Sequence, residues 1–204
     1  MKWQQDLIKD IKTNSVYDDA DRNEGRRIER DIPGDYTWRE FSAGNREALA
    51  EYFLKTKDTC KAILEIGVAR NANESSCHMF LGNKREETIY VGIDIDDKSF
   101  LNDANKNIFT IQNTSSDVEN NIEKIKSFGV TELDFIFIDG WHSINQVLTD
   151  WEYTRLLSPN GIVAFHDISE HPGPYHFIRN LDTNVWNVDL RCLNDWGIGF
   201  AWKK

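Results

Sequence analysis

Two apolar runs of this chain end in acidic and imidazole side chains. The segment Phe135-Ile136-Phe137-Ile138-Asp139 leads into Gly140-Trp141-His142, and residues 161–167 read Gly-Ile-Val-Ala-Phe-His-Asp. If these runs are neighbouring strands, Asp139 and Asp167 come within several ångströms of each other. Two unpaired carboxylates about 4 Å apart repel by roughly 4 kcal/mol at an effective dielectric of 20. A divalent cation removes that cost. Mg²⁺ suits hard oxygen ligands with positions left open, and His166 as a softer third ligand also admits Mn²⁺ or Fe²⁺. Such an ion lowers the pKa of a bound substrate hydroxyl, and His142, titrating near neutrality, takes the proton as general base. The constellation fits transfer of a methyl group to oxygen. The plainer alternatives are a protonated or arginine-bridged carboxylate pair and a satisfied core histidine at 166.

Other strand ends also carry polar groups. Glu65-Ile66-Gly67-Val68-Ala69-Arg70-Asn71 is a strand running into a small-residue turn, where Gly67 lets the backbone approach a ligand and Glu65 offers an acceptor beside it. Asp94, 27 residues after Gly67, ends the next run and is placed to accept hydrogen bonds from both hydroxyls of a ribose. A helix cap is its plainer role, and Asp96 and Asp97 are equally suited to that. The third run ends in a polar turn whose Ser115, Ser116 and Asp117 either reach an adenine ring or cap the following helix.

These positions require a particular scaffold. Apolar runs at 62–68, 88–95, 108–112, 133–140 and 161–167 are continuous rather than alternating, as for central strands of a parallel sheet covered on both faces. Helix-compatible segments separate them, including ESSCHMFLG, DVENNIEKIKSFG and INQVLTDWEYTRLLS, each long enough for a right-handed crossover. A helix is expected over residues 42–56, before the first strand. The segment HDISEHPGPY reads as a loop, and TNVWNVDLRCL and GIGFAWK read as a terminal hairpin joining the same sheet. The expected fold is α/β, a doubly wound, mostly parallel, seven-stranded Rossmann-like sheet with a C-terminal antiparallel hairpin. Residues 1–44 read as an N-terminal extension or lid and residues 45–204 as the sheet domain.

Bulk properties narrow the function. Hydrophobic residues make up 40% and charged residues 28% of the 204, which suits one folded domain. The formal charge of -10 opposes a phosphate backbone, so nucleic acid is not expected as a partner. No apolar run approaches the roughly 20 residues that span a bilayer, so no membrane association is expected. The N-terminus MKWQQDLIKDIK has no continuous apolar region, so no secretory signal is read and the cytoplasm is the expected compartment. Cys60, Cys77 and Cys192 are odd in number and widely spaced, and read as buried thiols.

The motifs ILEIGVARNAN, VGIDID, FIDGWHSINQVLTDW, GIVAFHD and WGIGFAW together resemble class I S-adenosylmethionine-dependent methyltransferases, and among them the small-molecule O-methyltransferases related to macrocin O-methyltransferase. The resemblance covers roughly residues 45 to 202. It implies that Glu65, Gly67 and Asp94, with Ala69 in the same loop and Ser115 and Asp139 at later strand ends, hold S-adenosylmethionine. It further implies that Asp139 and Asp167 bind Mg²⁺, or Mn²⁺, with His166 at a ligand position, and that His142 is the base. The sequence departs from the family at Asn71, where a second glycine is expected, and at Trp141, which either lines the acceptor pocket or packs on the sheet. The expected partner is a small hydroxylated acceptor such as a sugar, and a homo-oligomer is compatible with the sequence. The alternatives are a non-catalytic module that binds S-adenosylmethionine or a nucleotide, and an oxidoreductase. The latter lacks its G-x-G-x-x-G fingerprint here, since only Gly67 is present.

Overall fold

The computed structural model describes residues 43–68, 76–169 and 171–204. Helix α1 (Ala43–Thr56) precedes β1 (Ala62–Ile66). There follow α2 (Ser76–Asn83), β2 (Ile89–Asp94), β3 (Ile108–Gln112), α3 (Val118–Ser127), β4 (Leu133–Ile138), α4 (Ile144–Asp150), β5 (Leu157–His166), α5 (Pro172–Arg179), β6 (Trp186–Arg191) and β7 (Ile198–Lys203). The seven strands form one sheet in the order β3-β2-β1-β4-β5-β7-β6. β1 to β5 pair in parallel, and β7 runs antiparallel to both β5 and β6.

Alternate residues of the central strands enter two separate cores, which is why their sequences are apolar without alternation. Leu64, Ile66, Ile136, Ile138, Val163 and Phe165 face one side with Ile122 and Ile125 of α3, Val147 of α4 and Phe177 of α5. Ile63, Phe135, Phe137 and Ala164 face the other with Leu49 and Phe53 of α1 and Phe80 of α2. The sheet is therefore doubly wound, and its reversal of strand order lies between β1 and β4.

Four local expectations are corrected. The segment HDISEHPGPY is not a loop throughout, because α5 starts at Pro172. Proline is tolerated in a first helical turn, whose N–H groups have no partner within the helix. The helix expected over residues 144–158 stops at Asp150 and tightens into a 3₁₀ segment, Trp151–Leu156, in which Trp151 and Tyr153 are buried. Trp151 lies against Phe165, Phe177 and Trp186, with ring centroids 5.8, 5.0 and 4.9 Å away. β5 consequently begins at Leu157, earlier than the run 161–167 suggested. Cys60 and Cys77 are buried as expected, whereas Cys192 is only half-buried, in a left-handed conformation at φ 57°. The extension expected over residues 1–44 lies outside the described residues except for its last two. No helix among the described residues is long and apolar enough to cross a membrane.

Candidate active site

The carboxyl ends of β1, β4 and β5 meet at one edge of the sheet. The Asp139 N–H donates to Ile66 O at 2.8 Å, and the Gly67 N–H donates to Ile93 O at 2.9 Å, so the chain leaves these strands in close register. Gly67 has φ 82°, and a Cβ there would lie 2.2 Å from Asp139 O. The approach that requires glycine is thus to the backbone of the residue after β4.

Asp139 and Asp167 are bracketed by two imidazoles. His142 Nε2 lies 3.0 Å from Asp167 Oδ2 and 3.7 Å from Asp139 Oδ1. His166 Nδ1 lies 3.1 Å from Asp139 Oδ1 and 3.4 Å from Asp167 Oδ1. Asp167 sits just past β5 at φ 59°, a left-handed conformation that aspartate tolerates better than most residues. Burial disfavours the charged form of His142, but the charges of Asp167 and Asp139 override it and push the group up to about 10. His166 moves the same way, against its burial and because of the same two acids. Burial would raise Asp167; the two histidines instead hold it well below the usual carboxylate range. The four residues read from the sequence as metal ligands and base are therefore together in space.

The residues read as cofactor contacts divide. Asp94 is half-buried; its Oδ2 accepts from the Val68 N–H at 2.8 Å and its Oδ1 from the Asp96 N–H at 2.8 Å. Each oxygen retains a second lone pair for a hydroxyl. Asp97, not Asp94, accepts from the Ser99 N–H at the start of a 3₁₀ turn. Ser115 does not cap α3: its Oγ accepts from Gln146 Nε2 at 2.9 Å, and its carbonyl accepts from the Tyr153 hydroxyl. Ala69 and Asn71 lie outside the described residues.

Glu65 departs from the direct role read from the sequence. Its side chain is wholly buried, with Oε1 accepting from Ser76 Oγ and Oε2 from the Tyr90 hydroxyl. It ties the start of α2 to β1 and β2 from beneath. Burial pushes its carboxyl up to about 8 despite the two hydroxyl donors. An unfolded chain loses this proton near its ordinary value of 4.5. The folded chain therefore holds an extra proton between those values, so stability falls as pH rises from about 4.5 through about 8. The slope reaches up to about 1.4 kcal/mol per pH unit. Urea unfolding at about pH 5.5 and about pH 8 checks this, with Glu65→Gln expected to flatten the dependence; an undiminished slope in that variant would clear Glu65 as its source.

Asp150, His171 and Ile95 also lie near this edge without having been read as site residues. Asp150 is fully buried; its Oδ1 accepts from Gln146 Nε2 at 2.8 Å, and burial pushes its carboxyl up to about 6. An acid inside the run VLTDWEY was the available signal. His171 packs on His142, with ring centroids 4.3 Å apart. Ile95, beside Asp94, is 72% exposed, and Trp141 is 53% exposed, so its indole is not packed into the sheet.

Residues 64–168, just over half the chain and spanning β1 to β5, match the family model described as Methyltransferase domain. The chain belongs to this methyltransferase family. Its fold is that of class I S-adenosylmethionine-dependent methyltransferases. Among solved structures it is similar to MycE methyltransferase from the mycinamycin biosynthetic pathway, in complex with Mg, SAH and mycinamycin VI. That likeness has a TM-score of 0.58 and 18% identity, over 77% of this chain and 48% of that one. CalS11, a calicheamicin methyltransferase, gives 0.58 and 12%, over 78% and 79% of the two chains. The O-methyltransferase TomG from Streptomyces achromogenes, involved in tomaymycin synthesis and in complex with SAM, gives 0.56 and 14%, over 80% and 81%. At these identities the likeness is one of fold, and the chain spans about half the length of the MycE chain. No curated protein matches it.

Proposed function

We propose that this chain transfers the methyl group of S-adenosylmethionine to a hydroxyl of a small molecule, a sugar or another hydroxylated metabolite, with Mg²⁺ or Mn²⁺ at the site. The observation that carries the reading is the pairing of Asp139 and Asp167 beside His142 at adjacent strand ends. The donor atoms of Asp139, His166 and Asp167 lie within 4.8 Å of one another, and Asp167 Oδ1 is buried with only the 3.4 Å approach of His166 Nδ1 beside it among the described residues. Two carboxylates and one imidazole fit a hard divalent ion that keeps other positions for water or substrate oxygens. Once bound, such an ion lowers the pKa of the acceptor hydroxyl.

The chain's own residues do the rest. Asp94 is placed for the ribose, and the exposed Ile95 offers an apolar face to a purine. Trp141 offers its indole to the acceptor. His142 Nε2 receives the hydroxyl proton as the acceptor oxygen attacks the methyl carbon and the carbon–sulfur bond breaks, leaving S-adenosylhomocysteine. The two carboxylates favour the protonated form of His142; a divalent ion held by them would offset their charge and leave Nε2 free to accept the proton. In this proposal residues 45–204 are the catalytic domain. MycE and TomG bind SAH and SAM respectively, and CalS11 is a TDP-rhamnose 3'-O-methyltransferase, which supports a small hydroxylated acceptor.

Calorimetric titration of EDTA-stripped protein tests the reading. S-adenosylmethionine is expected to bind, and Mg²⁺ or Mn²⁺ to give a separate heat that is lost in Asp139→Asn. Absence of cofactor binding, or an unchanged metal heat in that variant, would overturn it.

A further inference from the structure

Asp167 belongs to two groups of donor atoms. Besides Asp139 and His166 it meets His142 and His171, whose donor atoms also lie within 4.8 Å of one another and of its own. It serves the two groups through different oxygens: Oδ1 lies 3.4 Å from His166 Nδ1, and Oδ2 lies 3.0 Å from His142 Nε2. Around one ion with ligands about 2.1 Å away, neighbouring donors stand about 3.0–3.4 Å apart. The separation of Nε2 and Oδ2 is already that of two ligands on one ion.

The backbone holds this second group in place. The His171 N–H donates to Asp167 O at 3.1 Å, and the Gly173 N–H donates to His142 O at 3.1 Å. A Cβ at Gly173 would lie 2.3 Å from that same carbonyl, so glycine lets the first turn of α5 rest on residue 142. The His171 and His142 rings are tilted by 32° with centroids 4.3 Å apart, and the Trp196 ring lies within 15° of parallel to His171 at a centroid distance of 6.4 Å. His171 is 8% exposed and Asp167 5%.

The two groups differ in chemistry. Two carboxylates with one imidazole favour Mg²⁺ or Mn²⁺, whereas two imidazoles with one carboxylate favour borderline ions such as Zn²⁺, Fe²⁺ or Ni²⁺, with Co²⁺ a spectroscopic stand-in for Zn²⁺. We infer that His142, Asp167 and His171 form a second metal site, selective for such borderline ions. An ion there occupies His142 Nε2, so it inhibits methyl transfer by removing the base. The inhibition rests on the function proposed above; the binding does not.

Co²⁺ is the probe, read by its ligand-field absorption in Asp139→Asn protein, where the two-carboxylate group is disabled. One Co²⁺ per chain is expected to bind. Adding His171→Ala is expected to weaken binding at least about 100-fold, since loss of even an outer-shell partner costs 10–100-fold. Equal Co²⁺ affinity with and without His171 would overturn the proposal. Should that double variant fail to fold, imidazole ¹⁵N spectra of the unsubstituted protein with Zn²⁺ decide: the nitrogens of His142 and His171 are expected to shift together. A shift of His166 with His171 unmoved would overturn it. Loss of the Mg²⁺ heat with Co²⁺ binding intact separates failure of one group from failure of the other.

Discussion

Asp167→Asn and Asp139→Asn are each expected to lower methyl transfer at least about a thousandfold while leaving the fold intact. Asparagine keeps the volume and one carbonyl oxygen but removes the charge that, in the proposed mechanism, holds a divalent ion. The charge stabilisation such an ion supplies amounts to several kcal/mol, and about 1.4 kcal/mol is worth tenfold in rate. Loss of His142, as in His142→Gln, removes only the proposed proton acceptor and is expected to cost about 10²–10⁴-fold. The fold survives because the carboxylates are offset locally: His166 and His142 are held protonated by Asp139 and Asp167, and each can shed its proton when one acid is neutralised. Turnover with S-adenosylmethionine and far-ultraviolet circular dichroism, measured on the same preparations, check both halves. Full turnover in either asparagine variant would sink the metal mechanism. Lost turnover together with lost helical signal would mean that the pair holds the β4 and β5 ends together instead.

The parts of this arrangement that could be read in advance are those fixed by strand position. Asp139 follows β4 and Asp167 follows β5, and these strands announce themselves as apolar runs because both faces are buried; β3 begins and ends where its run does. The side chains at neighbouring strand ends then have to meet. His171 escaped notice because its place depends on α5 folding back onto residue 142, and the Pro172-Gly173-Pro174 sequence that starts α5 carries the marks of a loop. Glu65 looked like a ligand-facing acid because its inward turn is set by Tyr90 and Ser76, partners on other elements. The shift from α4 to a 3₁₀ segment at Trp151 has no local signal either. It follows from the aromatic cluster formed with Phe165, Phe177 and Trp186, residues 14 or more positions away.

Gly67→Ala is expected to destabilise the protein by at least about 3 kcal/mol. At φ 82° an L-residue pays roughly 1–2 kcal/mol. The added methyl would sit 2.2 Å from Asp139 O and 2.6 Å from Asp139 C, both backbone atoms that cannot rotate away. Relief requires the ends of β1 and β4 to part, which sacrifices the hydrogen bond from Asp139 N–H to Ile66 O, worth about 1 kcal/mol net. Gly82→Ala is the matched contrast. It lies in α2 with nothing within 4 Å of the new Cβ, so the better helix former is expected to gain up to about 1 kcal/mol. Urea unfolding of the two variants beside the parent chain measures both shifts. A Gly67→Ala protein within about 0.5 kcal/mol of the parent, the spread of an ordinary surface change, would show that β1 and β4 do not meet as closely as described. The same substitution displaces the backbone that carries Asp139, so any folded fraction is expected to bind Mg²⁺ more weakly than the parent, and a loss of metal affinity in soluble Gly67→Ala protein would tie the glycine turn of the first strand directly to the chemistry at the end of the fourth.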